Sequence, residues 1–226
     1  MIEITVDQII PYTQRCLVQH PLSIAYLNQR KITNPQLVSF GIGCSGDEGF
    51  IIKELDKKVY PNLITLPVMD EYGVLKGILT RKIISDGSSG SYFMVPLHEE
   101  VKHVLFGFRQ AIRHIYQTGV VLLTEGSFDT LAIQTIIPQS CALLTASLSE
   151  KQAQTLRRYA DRIIYVPDND ATGNAMAAKF QQWHGRNFKV NVVRLSPGYK
   201  DPSRWRQDDP ESAKDFWVDV KETYFD

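Results

Sequence analysis

Past residue 118 the chain alternates between short, continuously apolar runs and longer stretches whose apolar residues recur every three or four positions. The apolar runs read as strands at 120–124, 141–145, 162–167 and 188–195, and the periodic stretches as helices at 128–136, 149–160 and 172–184. Strands that are apolar on both faces and separated by helices argue for a parallel sheet covered by helices on both sides. Before residue 118 the pattern is different. Residues 7–30 look helical, with Pro21 either starting a second helix or breaking the first. Leu63-Ile64-Thr65-Leu66-Pro67-Val68 and Gly77-Ile78-Leu79-Thr80 flank Asp70-Glu71-Tyr72-Gly73, a hairpin signature. Ser85–Ser91 is a flexible loop by composition. Leu105 to Gln117 has helical periodicity and stops at Gly119.

Two strand ends carry acids. Val120-Val121-Leu122-Leu123-Thr124 leads into Glu125-Gly126-Ser127-Phe128-Asp129, and Ile163-Ile164-Tyr165-Val166-Pro167 leads into Asp168-Asn169-Asp170-Ala171-Thr172-Gly173. In a parallel sheet the strand C-termini share one edge, where ligands bind. Glu125, Asp168 and Asp170 should therefore meet there. Carboxylates held that close repel one another unless a hard divalent cation lies among them, and such a cation bridges carboxylates to phosphates. The pattern points to metal-dependent chemistry on phosphate esters. Each acid also has a plainer reading. Glu125 and Asp129 would complement or cap a helix N-terminus, and Asp168 with Asp170 would form a metal-free Asx turn.

These motifs resemble the Toprim domain shared by bacterial-type primases, topoisomerases and some nucleases, in which Glu-Gly-x-x-x-Asp is followed by Asp-x-Asp-x-x-Gly. The wider context is similar to bacterial-type (DnaG-like) DNA primases. Leu105-Phe106-Gly107-Phe108 and Ala111 precede the Glu125 strand as in that family, and Gly198-Tyr199-Lys200-Asp201-Pro202 resembles its element near the end of the Toprim fold. Upstream, Tyr26-Leu27 with Arg30, Phe40-Gly41-Ile42-Gly43, and Gly73 with Gly77-Ile78-Leu79-Thr80-Arg81 look like landmarks of the primase polymerase subdomain.

The resemblance implies an α/β chain in three parts. Residues 1–110 form a smaller α+β polymerase-type subdomain, 111–206 the Toprim domain, and 207–226 an acidic C-terminal helix or tail. It implies Mg²⁺ or Mn²⁺ held by Glu125, Asp129, Asp168, Asp170 and Asp201, with Glu125, Asp168 and Asp170 catalytic. It also implies template or nucleotide contacts from Arg81, Lys102, Thr145 and Lys200. Lys102 lies within one residue of register with a family lysine. Thr145 equally reads as part of a helix start, with Ser149 and Gln152 as a capping box. The chain departs from the family at Ser203, where a further Asp is common, at Leu144, where Gly is usual, and at Ser91, where a Lys precedes the Tyr.

The implied activity is RNA primer synthesis on single-stranded DNA from NTPs. The alternatives are a Toprim nuclease using the same acids, and a non-catalytic primase-like subunit that binds nucleic acid or a replisome partner. A topoisomerase would need a separate tyrosine-nucleophile domain, for which 226 residues leave no room.

Composition narrows this further. At 43% hydrophobic and 22% charged the chain is globular. No apolar run is long enough to span a membrane, and the first residues do not read as a signal peptide, so the cytoplasm is the expected compartment. Cys16, Cys44 and Cys141 are scattered and form no Cys-x-x-Cys pair, which argues against both a disulfide framework and a structural zinc. There is no P-loop. A zinc-binding-domain protein or a replicative helicase would then act in trans, as with a stripped-down core from a phage or mobile element, or a fragment. Net charge is zero, but residues 157–206 hold ten Lys and Arg against four acids, and 207–226 hold seven acids against two Lys. The basic stretch is either a phosphate-backbone footprint or an ordinary solvated face. The acidic tail, with Phe216, Trp217, Tyr224 and Phe225, reads as an amphipathic helix that docks on its own domain or meets a partner.

Overall fold

The computed structural model describes residues 1–83, 92–145 and 147–225. The 85–91 loop expected from composition lies outside the described residues. The chain divides into two compact units. The first comprises residues 1–68 and 74–101, and the second 69–73 and 102–226.

The first unit opens with β1 (Ile2–Ile4), followed by α1 (Ile9–Val18), α2 (Pro21–Gln29) and α3 (Asn34–Ser39). Pro21 starts a helix rather than breaking one. It sits at N1 of α2, where its missing N–H costs nothing, and His20 caps that helix by accepting from the Ser23 amide. Short strands β2 (Gly43–Cys44), β3 (Phe50–Ile52) and β4 (Lys57–Val59) follow, then β5 (Leu63–Met69), β6 (Leu75–Lys82) and β7 (Tyr92–Pro96). They form two sheets, ordered β1-β3-β4 and β2-β5-β6-β7. The turn between β5 and β6 is closed by Gly73 N–H to Asp70 C=O at 3.1 Å, with Gly73 at φ +85°.

The second unit begins with α4 (Phe108–Thr118). The helix starts three residues later than the expected Leu105, because Gly107 adopts φ +81° and breaks the helical path there. Gly119, at φ +68°, ends α4 as expected, and its N–H donates to Ile115 C=O. Strands and helices then alternate: β8 (Val120–Thr124), α5 (Ser127–Ile133), β9 (Ser140–Ala142), α6 (Glu150–Leu156), β10 (Arg162–Val166), α7 (Ala171–His184) and β11 (Lys189–Val192). The sheet is parallel throughout, in the order β11-β10-β8-β9.

Alternation along each strand divides the core. Val121, Leu123, Ile163 and Tyr165 pack with α4, α6 and α7. Val120, Leu122, Ile164 and Val166 point the other way, toward α5 and two further helices. Those helices are α8 (Pro202–Asp208) and α9 (Pro210–Tyr224). The acidic tail is therefore a docked helix. It buries Ala213, Trp217 and Val220 against the sheet and leaves its acids outside. α8 was not foreseen. Pro202 at N1 and the Asp201 cap start it, and Arg206 reaches back to the Leu131 and Ala132 carbonyls at the end of α5. Cys16, Cys44 and Cys141 are free thiols. Among the described residues no helix is long and apolar enough to cross a membrane.

Trp217 is 1% exposed and lies in the cluster that packs on one face of β8 and β10. Trp217→Ala should lower unfolding stability by about 3–5 kcal/mol. Chemical denaturation will check this, and a loss below about 1 kcal/mol would mean α9 is not part of the cooperative core.

Candidate functional site

β8 and β10 are direct neighbours in matched register, with Thr124 opposite Val166. One residue beyond each strand, the chain leaves the sheet at the same edge. Glu125 follows β8. Its Oε1 accepts from the Asp168 backbone N–H at 3.3 Å and from the Tyr165 hydroxyl at 3.2 Å. Asp168 is thus tied to Glu125 through its backbone, and the two side chains interact electrostatically.

Asp129 lies in the first turn of α5 and is 8% exposed. Its Oδ1 accepts from the Ser203 N–H at 3.0 Å. Burial pushes its carboxyl well above the usual carboxylate range, and the neighbouring charges of Asp201 and Asp168 push it further. Asp168 is half-buried, and its pKa is raised to about 7. Desolvation is the largest cause, followed by Glu125 and Asp201, with Lys200 opposing. Asp170 and Asp201 cap α7 and α8, accepting from Gly173 N–H at 2.9 Å and Arg204 N–H at 2.6 Å. Each of these caps occupies only Oδ1, whereas neither Glu125 nor Asp129 caps α5, whose N-cap is Gly126. Lys200 Nζ lies 3.9 Å from Asp170 Oδ2.

Two local features hold these loops together. Asn169 donates its N–H to Lys200 C=O at 2.7 Å and its side-chain amide to Tyr199 C=O at 3.1 Å. Gly173 passes so close to Asp168 that an added Cβ would lie 2.1 Å from the Asp168 carbonyl oxygen, so only glycine fits.

Glu125, Asp129, Asp168, Asp170, Asp201 and Lys200 therefore gather at one sheet edge. As they stand, no three acidic, histidine or cysteine side chains among the described residues are arranged to hold a metal ion. The donor set nevertheless suits a hard divalent cation. All the candidate ligands are carboxylate oxygens, and Asp129 and Asp168, whose pKa values are raised first by burial and then by the neighbouring acids, lie where such an ion would offset crowded negative charge.

The remaining sequence-predicted residues are placed differently. The Thr145 hydroxyl donates to the Ser147 carbonyl at 2.8 Å, and Ser149 with Gln152 forms the capping box of α6. Lys102 is exposed, lies in the short 3₁₀ turn Glu99–His103, and pairs with no acid among the described residues. Arg81 lies in the first unit. There its Nε donates to the Tyr26 hydroxyl at 3.1 Å, and its guanidinium sits 4.3 Å from the centroid of the Tyr92 ring. Arg30 stacks over Tyr26 at 5.0 Å. Tyr26, Arg30 and the sequence-distant Arg81 thus form one basic-aromatic group, which strand-by-strand pattern reading could not assemble.

Three other contributors escaped sequence reading. Tyr165 is hidden in an apolar strand run. Ser203 serves through its backbone. Arg194 bonds Asn174 of α7 and acts electrostatically on Tyr165. Leu144, where the resemblance expects Gly, adopts φ +59°, so the chain keeps the left-handed conformation at a cost of about 1–2 kcal/mol.

Residues 122–205 match the Toprim-like family. A DNA primase from Thermotoga maritima is 27% identical over 194 residues, covering 85% of this chain and 33% of the relative. Among solved structures, the Aquifex aeolicus primase zinc-binding and RNA polymerase domains align with TM-score 0.78 at 20% identity, covering 95% of this chain and 59% of that one. A DnaG primase catalytic domain bound to single-stranded DNA aligns with TM-score 0.75 at 19% identity, covering 95% and 76%. The chain spans about a third of the length of the curated relatives it matches. It has the fold of a DnaG-like catalytic core with a Toprim domain.

The charge crowding has a measurable consequence. Asp168 holds its proton more tightly when folded than when unfolded, so its contribution to stability is full below about pH 4 and is lost as pH rises toward 7. In chelator, stability should fall between pH 5 and pH 8, by on the order of 1–2 kcal/mol from this group after allowing for its partial exposure. Asp168→Asn should flatten that slope in thermal melts. An unchanged slope would remove Asp168 as its source.

Proposed function

We propose that this chain is the catalytic core of a DNA primase, making short RNA primers on single-stranded DNA by divalent-metal-dependent nucleotidyl transfer. The observation that carries this reading is the gathering of Glu125, Asp129, Asp168, Asp170 and Asp201 at the C-terminal edge of the parallel sheet, in a chain with the fold of a primase catalytic core.

Glu125, Asp168 and Asp170 would hold Mg²⁺ or Mn²⁺, with Asp129 and Asp201 completing the acidic group. The ion, when bound, would neutralise phosphate charge in an in-line displacement of pyrophosphate. The chain's own residues supply the rest. Lys200, beside Asp170, offers a cation to the nucleotide phosphates. Arg81, Lys102 and Thr145 are assigned to template or nucleotide. Arg81 does this with its guanidinium already oriented by Tyr26 and Tyr92, as suits a flat group that both stacks and forms paired hydrogen bonds. The Thermotoga relative is a DNA primase, and one structural neighbour is a primase domain bound to single-stranded DNA. The latter supports a single-stranded template, and NTPs are the substrates proposed with it. The Aquifex neighbour carries a zinc-binding domain beside its polymerase domain. A zinc-binding domain and a replicative helicase are the partners proposed for this core.

A second reading is favoured by one observation. No three of the candidate side chains are arranged to hold a metal ion as they stand, which a non-catalytic, nucleic-acid-binding subunit would permit. A nuclease is disfavoured, because the match to primase cores extends over the first unit as well.

The test is primer synthesis by the purified chain on single-stranded DNA with labelled NTPs and either Mg²⁺ or Mn²⁺. Short RNA products are expected, and Glu125→Gln and Asp168→Ala should each reduce them by on the order of 100-fold or more. Glu125-dependent cutting of the template without RNA products would reassign the chain as a nuclease. Template binding with neither activity would favour the binding subunit.

A further inference from the structure

Tyr165 stands in the fourth position of β10, between Ile164 and Val166, and is fully buried. Its ring belongs to the apolar cluster with α4, α6 and α7. It stacks on Phe180 of α7, with centroids 4.2 Å apart and planes 11° from parallel. Everything the ring touches there would accept a phenylalanine equally well. A buried hydroxyl is costly unless it finds a partner. This one finds Glu125 Oε1 at 3.2 Å. Burial and the nearby Glu125 charge both push the phenol pKa up, so it remains a neutral O–H donor.

The same oxygen also accepts the Asp168 amide at 3.3 Å. Oε1 of Glu125 therefore takes two donors, while Oε2 has no hydrogen-bond partner among the described residues. Two donors from different parts of β10 and its following turn also fix the carboxylate's rotation.

We infer that Tyr165 is a positioning residue, holding Glu125 Oε1 together with the Asp168 amide so that Oε2 is the oxygen offered to a divalent cation. This rests on the reading of Glu125 as a metal-site residue. Hydrogen-bond donors behind a metal-ligating carboxylate commonly set its affinity, and losing one costs about 10- to 100-fold.

The experiment uses the full chain and Mn²⁺ alone, with free ion followed by electron paramagnetic resonance, so no turnover is needed. Wild type is compared with Tyr165→Phe, Phe180→Leu and Glu125→Gln, each melted in chelator as well. Tyr165→Phe should weaken Mn²⁺ binding about tenfold while keeping its chelator melting temperature near that of wild type. Phe180→Leu, which loosens the stack but keeps the hydroxyl, should lose stability and retain affinity within about twofold. Equal weakening in Tyr165→Phe and Phe180→Leu would make the effect general loosening and overturn the inference. Wild-type affinity in Tyr165→Phe beside a defect in Glu125→Gln would overturn it while sparing the metal site. Wild-type affinity in Glu125→Gln would remove Glu125 from the metal site, and the inference with it.

Discussion

The parallel pairing of β8 with β10 is the constraint from which the rest of the second unit follows. Matched register brings Thr124 opposite Val166, and the two chains leave the sheet side by side. Backbone hydrogen bonds, which are indifferent to side-chain charge, thereby force Glu125 next to Asp168. A third acid, Asp129, is carried in on the first turn of α5, and a fourth, Asp201, at the head of α8. The sheet supplies the cohesion that overrides the repulsion. Burial, with that repulsion added to it, displaces the Asp129 and Asp168 carboxyl pKa values upward. Apolar packing on both faces, ending in Trp205 and Trp217 on one side and Phe180 on the other, anchors the strands against it.

Much of this unit was legible in the sequence, because continuous apolar runs and helical periodicity are strong local signals. β8 and β10 fall where the apolar runs place them, and α7 begins within one residue of its expected start. The edges were less legible. β9 ends at Ala142 rather than 145, since Leu144 turns into the left-handed region and carries the chain away from the sheet. α6 stops at Leu156 rather than 160, in a turn closed by Tyr159 N–H to Leu156 C=O. In the first unit, β1 to β4 are two or three residues long, too short for an alternation to declare itself. The hairpin flanking Asp70–Gly73 could be read because Gly73 marks its turn.

The candidate acids were legible for a different reason. They follow strong strand signals, and the topology rule that places strand ends on one edge needs no side-chain detail. What the sequence could not show was support from outside the motifs. Ser203 replaces an acid expected by resemblance, yet its backbone N–H holds Asp129. Tyr165 sits inside an apolar run where a hydroxyl looks incidental. The convergence of Tyr26, Arg30 and Arg81 depends on tertiary contacts across 55 positions of chain.

Asp170 and Asp201 each close the first turn of a helix with one carboxylate oxygen. A side chain committed in this way has surrendered its rotameric freedom when the polypeptide folds. Ordering it later, around an arriving ligand, would draw on the free energy of association. Here the loss of conformational entropy for two of the five acids is charged to folding instead. The segments Asp168–Gly173 and Gly198–Arg204 are in this sense preorganised, since their helix starts set the geometry of the acids when the chain folds.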